Sequence, residues 1–156
     1  MRLTQWSDYS LRVLMYCGHA EGRAKPVTIT EIAQAHRISR NHLTKVVMTL
    51  AELGLLKTTR GRGGGLRLLK PAGKIVIGEV VRKTENDLVL VECLGEHNSC
   101  LLDRGCRLKM VLKRALGKFL AELDGVTLAD MVGQAPFKHG IPVAVKVLPQ
   151  ASRRKT

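Results

Sequence analysis

Three neighbouring cysteines are the residues of this chain whose type and spacing could support metal or redox chemistry. Cys93, Cys100 and Cys106 have the spacing C-x6-C-x5-C, and glycines between them allow the segment to fold back on itself. Soft thiolate ligands select zinc, copper(I) or iron–sulfur clusters. Structural zinc sites usually have closely paired cysteines, which this segment lacks, whereas iron–sulfur clusters usually take four ligands. The spacing favours a cluster, with zinc or a set of reactive or idle thiols as alternatives.

A fourth ligand is needed to complete such a centre, and it must be weaker than a thiolate. An iron held by a carboxylate, an imidazole or water is the easiest one for a small molecule to attack. The residues that could supply this ligand are Asp8, Glu85, Glu96 and His97. The remaining cysteine, Cys17, falls within a helical apolar pattern and is predicted to be a buried structural thiol.

The charge of the chain indicates a nucleic-acid partner. The 156 residues include 26 Lys and Arg against 13 Asp and Glu, a net charge of +13. Such an excess usually marks a protein that binds a polyanion, although a basic surface can also be inert. Residues 1–74 hold 13 Lys and Arg against 4 Asp and Glu, a net charge of +9. The N-terminal half is therefore the better candidate for contact with DNA.

Nothing in the sequence predicts export, membrane insertion or catalysis. The first ten residues lack the apolar run of a signal peptide, and no stretch approaches the roughly 18 apolar residues of a membrane span. We therefore expect a cytoplasmic protein with reduced thiols and no membrane partner. The five histidines are scattered and form no catalytic constellation with Ser or Asp, so we expect no enzyme.

Two short helices in the N-terminal half predict a helix-turn-helix. Thr28 and Glu31 have the spacing of a capping box that opens a helix over Ile29–His36. Ser39 is suited to cap the next helix, which is amphipathic, basic at its start and ended by Gly54. The alternative is an ordinary solvated helix face. The residues predicted to contact DNA from this second helix are Ser39, Arg40, Asn41, His42, Thr44 and Lys45.

A glycine-rich hairpin follows and strengthens the prediction of a DNA-binding domain. Leu55–Thr59 and Leu66–Lys70 flank the sequence Arg-Gly-Arg-Gly-Gly-Gly, a pattern that predicts a β-hairpin with a glycine-rich tip. Arg60, Arg62 and Arg67 place cations on this hairpin, where they could grip phosphates or enter a minor groove. A phosphate-binding loop for nucleotides is a poor alternative, because no helix with a Gly-Lys-Ser/Thr ending follows.

The rest of the chain is predicted to be helical. Helices are expected over about Ser7–His19, Ile77–Thr84 and Arg104–Leu123, with a last short one starting at Thr127. The predicted helix over Arg104–Leu123 is long and amphipathic, which suits a dimer interface or packing within its own chain. We therefore predict a mainly α fold with a small β-hairpin, in three parts. These are a winged helix-turn-helix domain at 1–74, a cluster-binding loop with a dimerisation helix at 75–132, and a mobile tail at 133–156.

These motifs together resemble the family of winged-helix iron–sulfur transcriptional regulators. The resemblance covers about residues 1–132 and lies in three motifs. The first comprises Met1-Arg2-Leu3-Thr4 with Asp8-Tyr9-Ser10-Leu11-Arg12, the second Ser39-Arg40-Asn41-His42-Leu43 with Lys45-Val46-Val47, and the third Arg60-Gly61-Arg62-Gly63-Gly64-Gly65 with Leu68. Within that family, the segments after Cys106 and around Thr127 are most similar to the repressors that sense nitric oxide.

The resemblance implies a function and a set of ligands. It implies a homodimeric repressor that binds a palindromic operator on double-stranded DNA and releases it when nitric oxide destroys the cluster. It also implies that Cys93, Cys100 and Cys106 are ligands and that Asp8 is the fourth, donated either by the same chain or by the partner chain. A 4Fe–4S cluster is favoured over 2Fe–2S. A regulator of the same fold that senses iron–sulfur or iron status, or oxidants, is the alternative.

Overall fold

The predicted fold class is confirmed by the computed structural model, which describes residues 2–95, 99–100 and 105–133. No helix in these ranges is both long and apolar enough to cross a membrane. The tail that we predicted to be mobile lies outside the described residues from position 134 onward. The elements within the described ranges are α1 (Gln5–His19), α2 (Ile29–His36), α3 (Arg40–Glu52), β1 (Leu56–Thr59), β2 (Gly65–Leu68), α4 (Ile77–Thr84), α5 (Arg107–Asp124) and α6 (Leu128–Val132).

The first three helices begin at hydroxyl side chains that accept hydrogen bonds from the backbone of the first turn. Thr4 caps α1, Thr28 forms a capping box with Glu31 on α2, and Ser39 caps α3. The caps of α2 and α3 are those that the sequence predicted. The predicted start of α1 was two residues late, because Thr4 is the cap. Gly54 follows α3 with a φ of 69°, a left-handed conformation that favours glycine.

A single hydrophobic core lies beneath α1, which packs against α3, α4 and α6. The buried face of α1 consists of Val13, Leu14 and Cys17, whereas Leu11 and Met15 are only partly buried. The other core residues come from every part of the domain: Val27, Ile32, Ile38, Leu43, Val46, Val47, Leu50, Leu55, Leu56, Leu66, Ala72, Ile75, Ile77, Val80, Val81 and Leu128.

The chain returns to this core after α5. The backbone N–H of Ile77 donates to the carbonyl of Val126 at 2.9 Å, and Leu128 N–H donates to the carbonyl of Ile75 at 2.8 Å. Leu128 is fully buried. The core therefore draws on both predicted ranges, 1–74 and 75–132, and the boundary between them stays a prediction.

Helix α5 is attached to the rest of the chain near its C-terminal end. Arg82 on α4 donates two hydrogen bonds to the carboxylate of Asp124, at 2.5 and 2.6 Å, and these lower the pKa of Asp124. Gly78 lies against the same carboxylate, which a Cβ at this position would overlap. None of the 18 residues of α5 is buried. Its N-terminal half exposes three large apolar side chains, with 64% of Leu108, 65% of Met110 and 49% of Val111 accessible.

Candidate DNA interface and cysteine loop

Helix α3 has the two faces that a recognition helix needs. Its inward residues, Leu43, Val46, Val47 and Leu50, are buried as predicted. Because these side chains hold the helix against the core, its other face is fixed at the surface. All of the predicted DNA contacts on and next to this helix are exposed: Ser39, Arg40, Asn41, His42, Thr44 and Lys45.

Some of these side chains already have local partners. The Ser39 hydroxyl accepts the backbone N–H of His42 at 3.2 Å, and the Thr44 hydroxyl donates to the carbonyl of Arg40 at 2.8 Å. Within the described part of the chain, no side-chain hydrogen bond or ion pair engages the guanidinium of Arg40, the amide of Asn41 or the ammonium of Lys45. These three groups are therefore available for base edges and phosphates.

The hairpin β1–β2 forms the wing, and its tip carries two exposed arginines. The strands are antiparallel, and their last pair joins Thr59 to Gly65. A Cβ on Gly64 would overlap the carbonyl oxygen of Thr59, so the turn requires glycine there. Arg60 and Arg62 are exposed on this tight turn. The tip thus presents positive charge on a backbone that can approach a phosphate closely.

Arg67 has a different environment from the arginines at the tip. Its guanidinium donates to the carbonyl oxygens of Arg23 at 2.9 Å and Ala24 at 2.6 Å, in the loop between α1 and α2. These bonds tie the wing to that loop and give Arg67 a structural role. Its contact with DNA stays a prediction.

Replacing Arg62 by Gln is expected to weaken binding to all duplex sequences about equally. Loss of one phosphate contact should reduce the slope of log affinity against log salt concentration by about 1. Fluorescence anisotropy titrations at several salt concentrations measure this slope. The matched change Arg67→Gln should lower the melting temperature instead, because it removes the two bonds to the α1–α2 loop. An unchanged slope for Arg62→Gln would exclude a phosphate contact by Arg62.

A pair of hydrogen bonds closes the segment between the first two candidate ligands. Cys93 lies half-buried in a 3-10 turn, and Cys100 is exposed. The carboxylate of Glu92 accepts from the backbone N–H of Ser99 at 3.0 Å and from its hydroxyl at 2.5 Å, which lowers the pKa of Glu92. The residues that precede Cys93 and Cys100 are therefore in contact, so the two thiols come from one closed loop.

The third candidate ligand lies at the start of α5. Cys106 is half-buried and directly precedes the first turn of this 18-residue helix. A negative charge at this end, such as that of a thiolate ligand, is stabilised by the helix macrodipole. Cys17 is different: it is 3% exposed in the core, and burial raises the pKa of its thiol to about 12. Its predicted role as a buried structural thiol is confirmed, and no disulfide joins any of the four cysteines.

Asp8 is located in the first turn of α1 and has a partner in its own chain. Its carboxylate accepts a hydrogen bond from Nε of Arg12 at 2.9 Å, and each side chain is 45% exposed. This ion pair raises the pKa of Arg12, mainly through the hydrogen bond. Among the residues that the structure describes, no group of three or more His, Cys, Asp or Glu side chains is placed to hold a metal ion. Asp8 and the three cysteines are thus not assembled within one chain.

The other candidates for the fourth ligand are Glu85, Glu96 and His97. Glu85 follows α4, and its carboxylate accepts hydrogen bonds from the backbone N–H and the hydroxyl of Thr4, at 2.8 and 3.1 Å. This carboxylate therefore anchors the start of α1. Glu96 and His97 lie outside the described residues.

Sequence reasoning missed two contacts of the site. One is the Glu92–Ser99 pair that closes the cysteine loop. The other is an edge-to-face contact between the rings of Tyr9 on α1 and His42 on α3, whose centroids are 5.8 Å apart with an interplanar angle of 70°. The position of Tyr9 directly after Asp8, in the N-terminal motif Asp8-Tyr9-Ser10-Leu11-Arg12, was the signal in the sequence that could have indicated this contact.

A helix-turn-helix with a glycine-tipped hairpin packed beside it defines a winged-helix DNA-binding regulator. Solved structures confirm the fold. The chain is similar to CymR (YrzC), the global cysteine regulator of B. subtilis, with a TM-score of 0.73, 24% identity, and coverage of 86% of this chain and 98% of that one. It is also similar to IscR of T. potens, with a TM-score of 0.68, 23% identity, and coverage of 85% and 86%.

The chain belongs to the Rrf2 family, described as iron-dependent transcriptional regulators, which it matches over residues 3–134. It is 48% identical over 133 residues to the HTH-type transcriptional regulator NsrR of Geobacillus kaustophilus, which covers 85% of this chain and 90% of that protein. The corresponding regulator of Bacillus subtilis is 49% identical over 133 residues, with coverage of 85% and 90%. The protein is therefore a transcriptional regulator of this family.

Proposed function

We propose that the protein is a homodimeric repressor that senses nitric oxide through an iron–sulfur cluster and releases its operator when the cluster is nitrosylated. The similarity to regulators named NsrR supports this function. The observation that carries it is the cysteine loop. The Glu92–Ser99 bonds bring together the residues that precede Cys93 and Cys100, and Cys106 directly precedes the exposed helix α5.

The residues proposed to hold the cluster are Cys93, Cys100, Cys106 and Asp8. Three soft sulfur ligands fit an iron–sulfur centre, with 4Fe–4S favoured over 2Fe–2S. When bound, the cluster supplies iron that reacts with nitric oxide. Asp8 must exchange Arg12 for iron to act as a ligand, and the half-exposed position of both side chains permits this exchange. We assign Asp8 to the cluster of the partner subunit, and cluster binding must also bring together the three cysteines of one chain, which are not grouped among the described residues.

A second copy of the chain is proposed to cover the exposed apolar side chains of α5. Leu108 and Val111 are three residues apart and share a face of the helix, and neither is buried in the single chain. Pairing of two such faces gives a twofold dimer, the commonest form of oligomer. A dimer sets the two recognition helices about 34 Å apart, one turn of DNA, so the operator is expected to be palindromic.

Regulation depends on how much the affinity for the operator differs between the protein with an intact cluster and the protein with a nitrosylated cluster. Arg40, Asn41 and Lys45 on α3 are proposed to read and position the site. Arg60 and Arg62 on the wing add salt-sensitive attraction to the backbone. The cysteine loop lies between the DNA-binding part and α5, so order in this loop can set the spacing of the two recognition helices.

The decisive experiment is anaerobic purification followed by titration with nitric oxide. The proposal predicts bound iron, a thiolate-to-iron absorption band at about 400 nm, and bleaching of that band in parallel with loss of operator binding. A protein that holds zinc or no metal would contradict the sensing proposal and leave the DNA-binding role intact. Bleaching without any change in operator affinity would separate the cluster from regulation.

A second function is favoured by the family description, which names iron rather than nitric oxide. Under this alternative, the same fold and ligands report iron–sulfur or iron status, or oxidants. Parallel titrations of the cluster-loaded protein with nitric oxide and with peroxide distinguish the two functions. Release of the operator at stoichiometric nitric oxide but not at stoichiometric peroxide supports the first, and the reverse supports the second.

A further inference from the structure

We propose that Tyr9 is a positioning residue that couples the turn of α1 carrying Asp8 to the recognition helix through the ring of His42. The two rings lie 5.8 Å apart between centroids, with an interplanar angle of 70°. Both values fall within the range of favourable edge-to-face aromatic pairs. The proposal rests on the proposed function in two respects, namely that occupancy of the cluster changes operator affinity and that Asp8 exchanges Arg12 for the cluster.

The first turn of α1 is anchored to the C-terminal end of α4. The hydroxyls of Ser7 and Thr84 form a buried hydrogen bond of 2.8 Å, and the backbone N–H of Thr4 donates to Glu85 at 2.8 Å. Both bonds join α1 to the end of α4, which the Arg82–Asp124 pair joins to α5. A displacement of α5 is therefore shared with the turn that carries Asp8 and Tyr9.

The same turn contacts the recognition helix through Tyr9. This side chain is partly buried and packs against the core, whereas His42 is exposed in the first turn of α3. His42 directly follows Arg40 and Asn41, which are proposed to contact DNA. The Tyr9 ring fixes the direction of the His42 ring, so a shift of α1 changes how this first turn faces the operator.

Coupling of this kind requires a contact that differs between two states of the protein. Asp8 supplies that difference, because its carboxylate either pairs with Arg12 or binds the proposed cluster. Asp8 is also the neighbour of Tyr9 in the chain. An aromatic pair in this geometry can change an equilibrium constant by roughly three- to tenfold. The upper part of this effect overlaps the lower end of the range known for allosteric coupling, about fivefold and above.

The test compares operator affinity in the cluster-loaded and cluster-free forms of the full chain. Tyr9→Leu keeps an apolar side chain in the core and removes the ring, and it should reduce the ratio of the two affinities by roughly three- to tenfold. Tyr9→Phe retains the ring and should keep the wild-type ratio of operator affinities between the cluster-loaded and cluster-free forms. In a His42→Gln background, Tyr9→Leu should have no further effect, whereas a merely structural role of Tyr9 would persist there.

The chain also offers a matched control. Tyr16 and His36 form a second edge-to-face pair from α1, with centroids 5.9 Å apart and an interplanar angle of 75°, but this pair reaches α2. Tyr16→Leu removes a ring contact of the same geometry away from the recognition helix. It should leave the ratio of affinities at the wild-type value.

Two results would overturn the coupling through Tyr9. One is a wild-type ratio in the Tyr9→Leu variant, with the iron content of the wild type. The other is an equal loss from Tyr9→Leu with and without His42. If the wild-type protein itself binds its operator equally with and without the cluster, the proposed function fails, and the coupling fails with it. A wild-type difference that survives Tyr9→Leu contradicts only the coupling.

Discussion

Replacing Cys100 by Ala is expected to remove the iron–sulfur cluster and operator binding together. The change leaves two thiolates and one carboxylate, too few strong ligands to retain a cluster that usually takes four. Operator affinity should then fall to that of nonspecific DNA, a loss of about a thousandfold or more. Iron analysis and an anisotropy titration with operator and scrambled duplexes, both under anaerobic conditions, measure the two effects on the same sample.

Cys17→Ala is the matched control for this experiment. Cys17 lies in the core with a neutral thiol, so its replacement should keep both the iron and the operator affinity. It should reduce the free energy of unfolding by about 1 kcal/mol, because a buried sulfur is lost. Full operator binding by a cluster-free Cys100→Ala variant would contradict the proposed link between cluster and DNA.

Replacing Val111 by Glu is expected to produce a monomer with weak operator binding. Val111 is 49% exposed in the single chain and shares its face with Leu108, so the proposed dimer would bury it. Each subunit would then bring an unpaired carboxylate into the interface, which costs several kcal/mol in total. We expect the dissociation constant of the dimer to rise at least about a hundredfold. Size-exclusion chromatography with light scattering measures the change.

Lys113→Gln provides the control for charge. It also lowers the net charge by one unit, but Lys113 lies two residues beyond Val111 and therefore on a different face of α5. This variant should remain dimeric and bind the operator with nearly the wild-type affinity. A Val111→Glu variant that stays dimeric would place the subunit interface elsewhere.

The local structure could be predicted from the sequence because its causes are local. The caps at Thr28 and Ser39 and the helix end at Gly54 depend on residues within one turn of each other. The predicted bounds of α2 and α4 agree with the observed ones. The buried face of α3 followed from its apolar spacing. The start of α5 deviates more, at Arg107 rather than near residue 104, because Gly105 has a left-handed φ of 86° that an α-helix does not include.

The candidate site is predicted from the sequence as a set of residues, and that assignment stays a prediction; their arrangement could not be predicted. The three cysteines and the exposed residues of α3 were identified from type and spacing. Their environments were not, because side-chain partners come from other elements. Arg67 bonds carbonyls more than 40 residues away in the chain, and Asp8 pairs with Arg12 instead of lying among the cysteines.

The sequence by itself determined the helices, the hairpin with its glycine tip, and the residue types that can bind DNA and a metal centre. These follow from hydrogen bonding within a turn, backbone freedom at glycine and the chemistry of thiolates. Only the tertiary structure decided which groups meet. The contacts of Tyr9 with His42 and of Arg82 with Asp124 depend on how α1, α3, α4 and α5 pack. That packing buries apolar residues from distant parts of the described chain together, so no local pattern in the sequence specifies such pairs.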